Sequence, residues 1–140
     1  GKTHLAAAIA LSLLGKGVPV ICKTSIDLLG DMKQAFDENN RRNTAEILRA
    51  YKQADLLVID DLGKEQPTEW SIQTIYNILN DRYEDMRPTI ITTNYSQGDL
   101  IRRYSLGGDS STATAIISRL RECSKVITMA WEDQREQVNP

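Results

Sequence analysis

The chain has 140 residues, 41% of them hydrophobic and 26% charged, with a formal net charge of -2. This is enough for one globular domain with a real core and too little for two ordinary ones. The near balance of charge excludes a molecule that binds polyanions over its whole surface, so any nucleic-acid contact has to be a local patch.

In chain order, the segment from His4 to Leu14 places Leu5, Ala8, Ile9, Ser12 and Leu13 on one face at helical spacing, and Gly15 and Gly17 stop it. The run from Val18 to Thr24 is short and β-branched and predicts a strand, followed by a helix capped by Ser25 and running through Leu28, Leu29, Met32 and Phe36. Residues Asp37 to Asn43 are polar and turn-rich, and Thr44 to Gln53 resumes a short helix. Asp55 to Asp60 is an apolar run ending in acid, as expected for a strand buried on both faces of a parallel sheet. A helix begun near Thr68 carries Ile72, Ile75, Tyr76, Leu79 and Tyr83, and Pro88 to Asn94 is the next strand. A small helix around Leu100 to Tyr104, a glycine and serine loop from Ser105 to Ser111, a helix from about Ala113 to Glu122 and a strand from Lys125 to Met129 complete the series. Strands alternating with helices imply right-handed crossovers and a mostly parallel, doubly wound α/β sheet with flanking helices.

The longest apolar run, around Leu5 to Leu14, is too short and interrupted to span a bilayer, and nothing resembles a signal peptide. Cys22 and Cys123 lie far apart without metal-ligand spacing, which argues against zinc and for buried thiols in a reducing compartment. Both readings place the protein in the cytoplasm.

The opening tripeptide Gly1-Lys2-Thr3 stands directly before a helix and matches the end of the phosphate-binding loop G-x-x-x-x-G-K-[ST]. In that loop the helix N-terminus and backbone N–H groups hold phosphates, the lysine reaches the β/γ oxygens and the hydroxyl binds Mg²⁺. Alone the tripeptide is a weak signal. Leu56-Leu57-Val58-Ile59-Asp60-Asp61 supplies independent support, because two acids at the C-terminal end of a buried strand form the Walker B pattern. Asp60 would hold Mg²⁺ through water and Asp61 would polarise the attacking water; two merely solvated acids are the bland alternative. Asn94, ending Thr92-Thr93-Asn94, could orient the γ-phosphate, or serve only as a turn residue. Arg119, in Ser118-Arg119-Leu120-Arg121, could reach a neighbouring subunit's nucleotide or be a solvated helix arginine.

Together, Gly1 to Ala6, Leu57 to Glu65, Thr89 to Asn94, Ile117 to Arg121 and Trp131 to Arg135 follow the order of motifs in the AAA+ ATPases of DnaC/DnaI-type replicative helicase loaders and their IstB-like relatives. The chain resembles that family over nearly its whole length. The resemblance implies a P-loop NTPase core binding ATP and Mg²⁺, with Gly1, Lys2 and Thr3 in Walker A, Asp60 and Asp61 in Walker B, and Asn94 as sensor 1. It further implies Arg119 as an arginine finger acting in trans and Arg135 as a sensor-2 arginine. Expected partners are a replicative helicase, single-stranded DNA and further copies of the chain in an ATP-bridged oligomer. Residues 1–140 are expected to be one ATPase domain lacking the first strand and most of the P-loop. In this class that strand lies between the sensor-1 strand and the last strand, so an exposed gap or edge is expected there.

Lys33, Arg41, Arg42, Arg49 and Lys52 are the candidate DNA-binding patch, in the region resembling a DNA-contacting insertion of AAA+ initiators; a solvated polar linker is the competing reading, since Asp37, Glu38 and Glu46 are interspersed. His4, following the phosphate lysine and threonine, reads as structural. Trp70 and Trp131 more often pack an element edge than stack on bases. The alternatives that remain are an IstB-like transposition helper and a non-hydrolysing AAA+ adaptor.

Overall fold

A computed structural model describes residues 1–37 and 41–130, excluding the side chains of 36, 37, 41–43 and 123. Its elements run α1 (Lys2–Leu14), β1 (Val20–Thr24), α2 (Ser25–Asp37), α3 (Arg41–Gln53), β2 (Leu56–Asp60), α4 (Glu69–Glu84), β3 (Thr89–Ile91), α5 (Gln97–Gly107) and α6 (Ser110–Cys123). The strands form one parallel sheet in the order β1-β2-β3, with Cys22 opposite Val58 and Val58 opposite Ile90.

Every residue of β2 is buried, because helices cover both faces of this central strand. Alternation sends Leu57 and Ile59 to one face, where they join Leu28, Ile72, Ile75, Leu100, Tyr104 and Ile116 in the larger core. Leu56 and Val58 point the other way and pack on Ala6 and Ala10 of α1. Each fully buried Leu or Ile contributes about 1.5–3 kcal/mol relative to an exposed one. The buried seam of α1 is therefore Ala6 and Ala10, with Leu13 packed beside it, rather than the predicted Leu5, Ala8 and Ile9 face; Leu5 is 45% exposed. Alanine, with the smallest side chain, lets the helix lie close against the sheet. The helix stops as the sequence implies, and the left-handed turn falls at Gly17, with φ 78°.

Thr24, not Ser25, caps α2: its Oγ1 accepts the Asp27 N–H at 3.0 Å and donates to Asp27 Oδ2 at 2.8 Å. Ser25 is released from capping and donates instead to the Asp61 carbonyl at 3.1 Å. Thr68 caps α4 as its sequence predicts, accepting from the Ser71 N–H at 3.1 Å. The predicted loop from Ser105 to Ser111 is mostly helical. Ser105 stays in α5, donating to the Ile101 carbonyl at 2.7 Å, and Asp109 caps α6 by accepting the Ser111 N–H at 3.0 Å. The strand expected at Lys125 to Met129 does not form, and β3 is an edge strand among the described residues. A strand exists only through its ladder partner, and Val126 and Ile127, 66% and 65% exposed, have no such neighbour among the described residues.

Arg82 is the hub of the lower sheet end. Its side chain is 1% exposed, and its guanidinium donates to the carbonyls of Tyr51, Ala54 and Pro88 and to Thr89 Oγ1, at 2.9, 2.8, 2.5 and 2.8 Å. Burial pushes its pKa down to about 10, which still leaves it charged near neutrality. It ties the end of α3 to the starts of β2 and β3, and so fixes the strand that ends in Asp60. Among the described residues no helix is long and apolar enough to cross a membrane.

Candidate functional site

Asp60 closes β2 at its C-terminal end, where parallel sheets present their ligand-binding edge. Strand alternation turns its side chain to the face of Leu56 and Val58, which is the face covered by α1. There the first turn of α1 meets it: Thr3 Oγ1 donates to the Asp60 carboxylate, 3.0 Å from each oxygen. Gly1 is the N-cap of α1, Lys2 and Thr3 are its first residues, and no acid lies in its first turn. The helix therefore offers unpaired-type N–H groups and a positive dipole end at the same place as the Asp60 carboxylate.

Thr92 completes the cluster. Its hydroxyl donates to Asp60 Oδ1 in a short hydrogen bond and accepts the Asp61 N–H at 2.9 Å. Asp61 is itself left-handed, with φ 57°, a conformation that costs an L-residue about 1 kcal/mol and that Asp tolerates better than most. Its carbonyl accepts from Ser25, and its carboxylate is bridged by Lys64 at 2.6 Å. Lys64 and Asp61 are 47% and 26% exposed, so their pair contributes about 0–1 kcal/mol and can be exchanged readily. Gly63 follows at φ 99°, where a Cβ would lie 2.6 Å from the Tyr95 ring. The turn is anchored by Glu65, only 3% exposed, which accepts the Gly63 N–H at 3.0 Å and the Tyr104 hydroxyl at 2.6 Å.

Asn94 lies exposed in the bend beyond Thr93. Thr92, two residues earlier, is what touches Asp60 and the Asp61 backbone, and it is the residue that motif reading missed. A signal for it existed: β3 alternates, so Thr92 shares the face of Ile90, the residue paired with Val58 and hence the face of Asp60. Ser25 and Lys64 were missed because neither belongs to a nucleotide-binding motif.

Arg119 stands apart from Asp60, on α6. Its Nε donates to Asn80 Oδ1 at 3.2 Å, its guanidinium stacks 4.8 Å from the Tyr83 ring centroid, and Glu122 is 3.8 Å away. Within one subunit the arginine is thus lodged on α4. Arg135 and Trp131 lie outside the described residues. His4 is exposed on α1. Cys22 is exposed rather than buried, and partial burial of its thiol, with Asp60 nearby, raises its pKa.

The candidate DNA-binding residues divide between two clefts. Arg49 and Lys52 line one of about 440 Å³ together with Asp81, Glu84 and Asp85, and Lys52 bridges Asp81 at 2.5 Å. Lys33 lines another of about 350 Å³ with Lys64 and Trp70, its ammonium 5.5 Å from the Trp70 ring centroid. Trp70 is partly buried against the larger core. Arg41 and Arg42 open α3, and their side chains are outside the description.

The profile of the family described as IstB-like ATP binding protein matches residues 1–139. The chain is 30% identical over 135 residues to the ATP-binding protein of insertion sequence IS5376 from Geobacillus stearothermophilus, covering 96% of this chain and 51% of that protein. It is 33% identical over 102 residues to the replicative helicase loader DnaC of Escherichia coli strain K12, covering 73% of this chain and 41% of DnaC. The chain thus spans about half the length of the curated relatives it matches. A crystal structure of the DnaC helicase loader superposes with a TM-score of 0.74 at 30% identity, over 89% of this chain and 70% of that one.

Proposed function

The chain belongs to the IstB-like ATP binding protein family, with the AAA+ P-loop fold of DnaC-type proteins, and from that premise we propose that it is the ATPase module of a loader that places a replicative helicase on DNA. The observation that supports the reading most is the junction of Thr3, Asp60 and Thr92, which brings the end of one nucleotide-binding motif onto another.

In this reading the N-terminus of α1 receives the phosphates, with Lys2 neutralising the β/γ oxygens. Asp61 accepts a hydrogen bond from the attacking water and orients it, and Asn94 faces the γ-phosphate. Mg²⁺ fits the donor set at Thr3 and Asp60, one hydroxyl and one carboxylate, because this ion binds through few protein oxygens and takes the rest from phosphates and water. When bound it would neutralise the phosphate charge that develops during hydrolysis. Arg119 of a second copy supplies a planar guanidinium to the γ-phosphate, so that ATP bridges adjacent subunits. Arg135 would contact the nucleotide from the carboxy-terminal side. Lys33, beside Trp70, is the strongest of the basic residues for single-stranded DNA, since Arg49 and Lys52 share their cleft with three acids.

The full-length protein is expected to transfer its helicase onto single-stranded DNA in a reaction that requires ATP. A pull-down of helicase on immobilised DNA measures this, with the Asp60→Asn protein as control. ATP hydrolysis with no helicase transfer would remove the loader reading. The likeness to the insertion-sequence protein over 96% of this chain then favours a transposition helper. Nucleotide binding without hydrolysis would leave a AAA+ adaptor.

A further inference from the structure

Thr92 belongs to none of the residues named for phosphate, metal or water, yet its hydroxyl hydrogen-bonds to both acids, to the Asp60 carboxylate and to the Asp61 backbone. It is 6% exposed, and its oxygen donates to Asp60 Oδ1 while accepting the Asp61 N–H at 2.9 Å. A hydroxyl has one proton and two lone pairs, so it can serve a carboxylate on one side and an amide on the other; a hydrocarbon of the same shape can serve neither. The backbone of Thr92 is pinned as well. Its N–H donates to the Ile59 carbonyl at 3.1 Å and its carbonyl accepts the Leu62 N–H at 2.8 Å, so the residue straddles the Asp60-Asp61 turn from both ends. These backbone bonds fix the Thr92 Cα beside the turn, with its hydroxyl within reach of both acids.

We infer that Thr92 is a positioning residue for hydrolysis, holding Asp60 in one rotamer and Asp61 in its left-handed backbone conformation; the inference rests on the ATPase reading above. The donated proton binds Asp60 Oδ1, and with Thr3 Oγ1 at 3.0 Å from both carboxylate oxygens the group is held between β3 and the phosphate end of α1. The accepted N–H secures a φ of 57° that Asp61 would otherwise tend to leave, because the left-handed conformation is disfavoured by about 1 kcal/mol. A relaxed φ at Asp61 swings its carboxylate away from the attacking water, and a displacement near 1 Å costs up to about a hundredfold in rate. Ser25, donating to the Asp61 carbonyl, holds the next peptide, on the other side of the Asp61 Cα, and gives the turn a second anchor when Thr92 is altered.

The test compares Thr92→Val, which keeps the shape and removes the hydroxyl, with Thr92→Ser, which restores it, in the full-length protein with ATP and Mg²⁺. Expected for Thr92→Val is a fall in kcat of about tenfold to a hundredfold with KM for ATP nearly unchanged, and recovery to within about threefold in Thr92→Ser. Independently of turnover, amide hydrogen exchange in the nucleotide-free protein should show faster exchange at Asp61 in Thr92→Val and wild-type protection in Thr92→Ser. Asp61→Asn serves as the reference for the site itself. Turnover abolished by Asp61→Asn but untouched by Thr92→Val, or a Thr92→Val loss that Thr92→Ser fails to recover, would overturn the positioning role alone. Wild-type protein without ATP turnover, or turnover indifferent to Asp61→Asn, would overturn the ATPase reading and this inference with it.

Discussion

Thr3 and Asp60, 57 positions apart in the chain, meet at 3.0 Å, so the first turn of α1 and the last residue of β2 form one polar surface. This contact gives Asp60 and Asp61 different expected roles. Asp60 lies against the Thr3 hydroxyl at the start of α1, whereas Asp61 is turned toward Lys64.

Asp60→Asn should therefore weaken Mg²⁺-dependent ATP binding, and Asp61→Asn should leave binding largely intact while slowing turnover, because the amide keeps the shape and loses the charge. Fluorescent-nucleotide titration with and without Mg²⁺, paired with phosphate release, separates the two. Equal and mild effects of both changes would contradict the assignment.

Arg119 rests on Asn80, Tyr83 and Glu122 of its own chain, and this lodging holds the arginine in a defined place. If it acts in trans, hydrolysis rises with protein concentration and Arg119→Ala lowers turnover by about 10³ or more while ATP binding persists. Mixing Arg119→Ala with Asp61→Asn should recover activity, since some mixed interfaces pair an intact Asp61 with an intact Arg119. A dead mixture with assembly verified by light scattering assigns Arg119 to its own subunit.

Asp31 couples β1, α2 and α3 by accepting from the Tyr51 hydroxyl at 2.7 Å and pairing with Lys23 at 2.9 Å. The Tyr51 hydroxyl, and then Lys23, hold its carboxyl below the usual carboxylate range. A depressed folded pKa gives stability that is complete above the unfolded pKa of about 4 and is lost as pH falls through the lower folded value. Asp31→Asn should therefore lower stability near neutrality and flatten the acid limb below about pH 4. Urea denaturation at several pH values measures it, and an unchanged acid limb would count against the linkage. The pair is partly exposed, so the effect should be modest.

Arg82→Ala removes the guanidinium donor from the carbonyls of Tyr51 and Ala54 at once, and from that of Pro88, which keeps the Leu57 N–H. Each buried acceptor left without a donor costs about 1–3 kcal/mol, and entering water offsets part of this, so a loss of about 2–4 kcal/mol is expected by chemical denaturation. Arg82→Lys should recover little, because an ammonium cannot spread its donors over the plane that the guanidinium occupies. A loss below about 0.5 kcal/mol, the scale of a neutral surface change, would show the hub to be dispensable.

The sequence by itself determined the alternation of strands and helices, the burial of β2 on both faces and the Thr68 cap. These are local facts: hydrophobic period, hydroxyl before a helix and acid after an apolar run act within a few residues of themselves. Only the tertiary structure decided which face of α1 is buried, since a helix apolar on most sides carries no periodic preference and the small Ala6 and Ala10 seam won by close approach to Leu56 and Val58. It also decided that Lys125 to Met129 forms no strand, because a strand is created by a partner distant in sequence. The left-handed Asp61, its hydroxyl anchors Thr92 and Ser25, and the lodging of Arg119 on α4 were likewise decided there. Each depends on side chains that parallel register and helix packing bring together from separate elements, and no pattern confined to one segment encodes such a meeting.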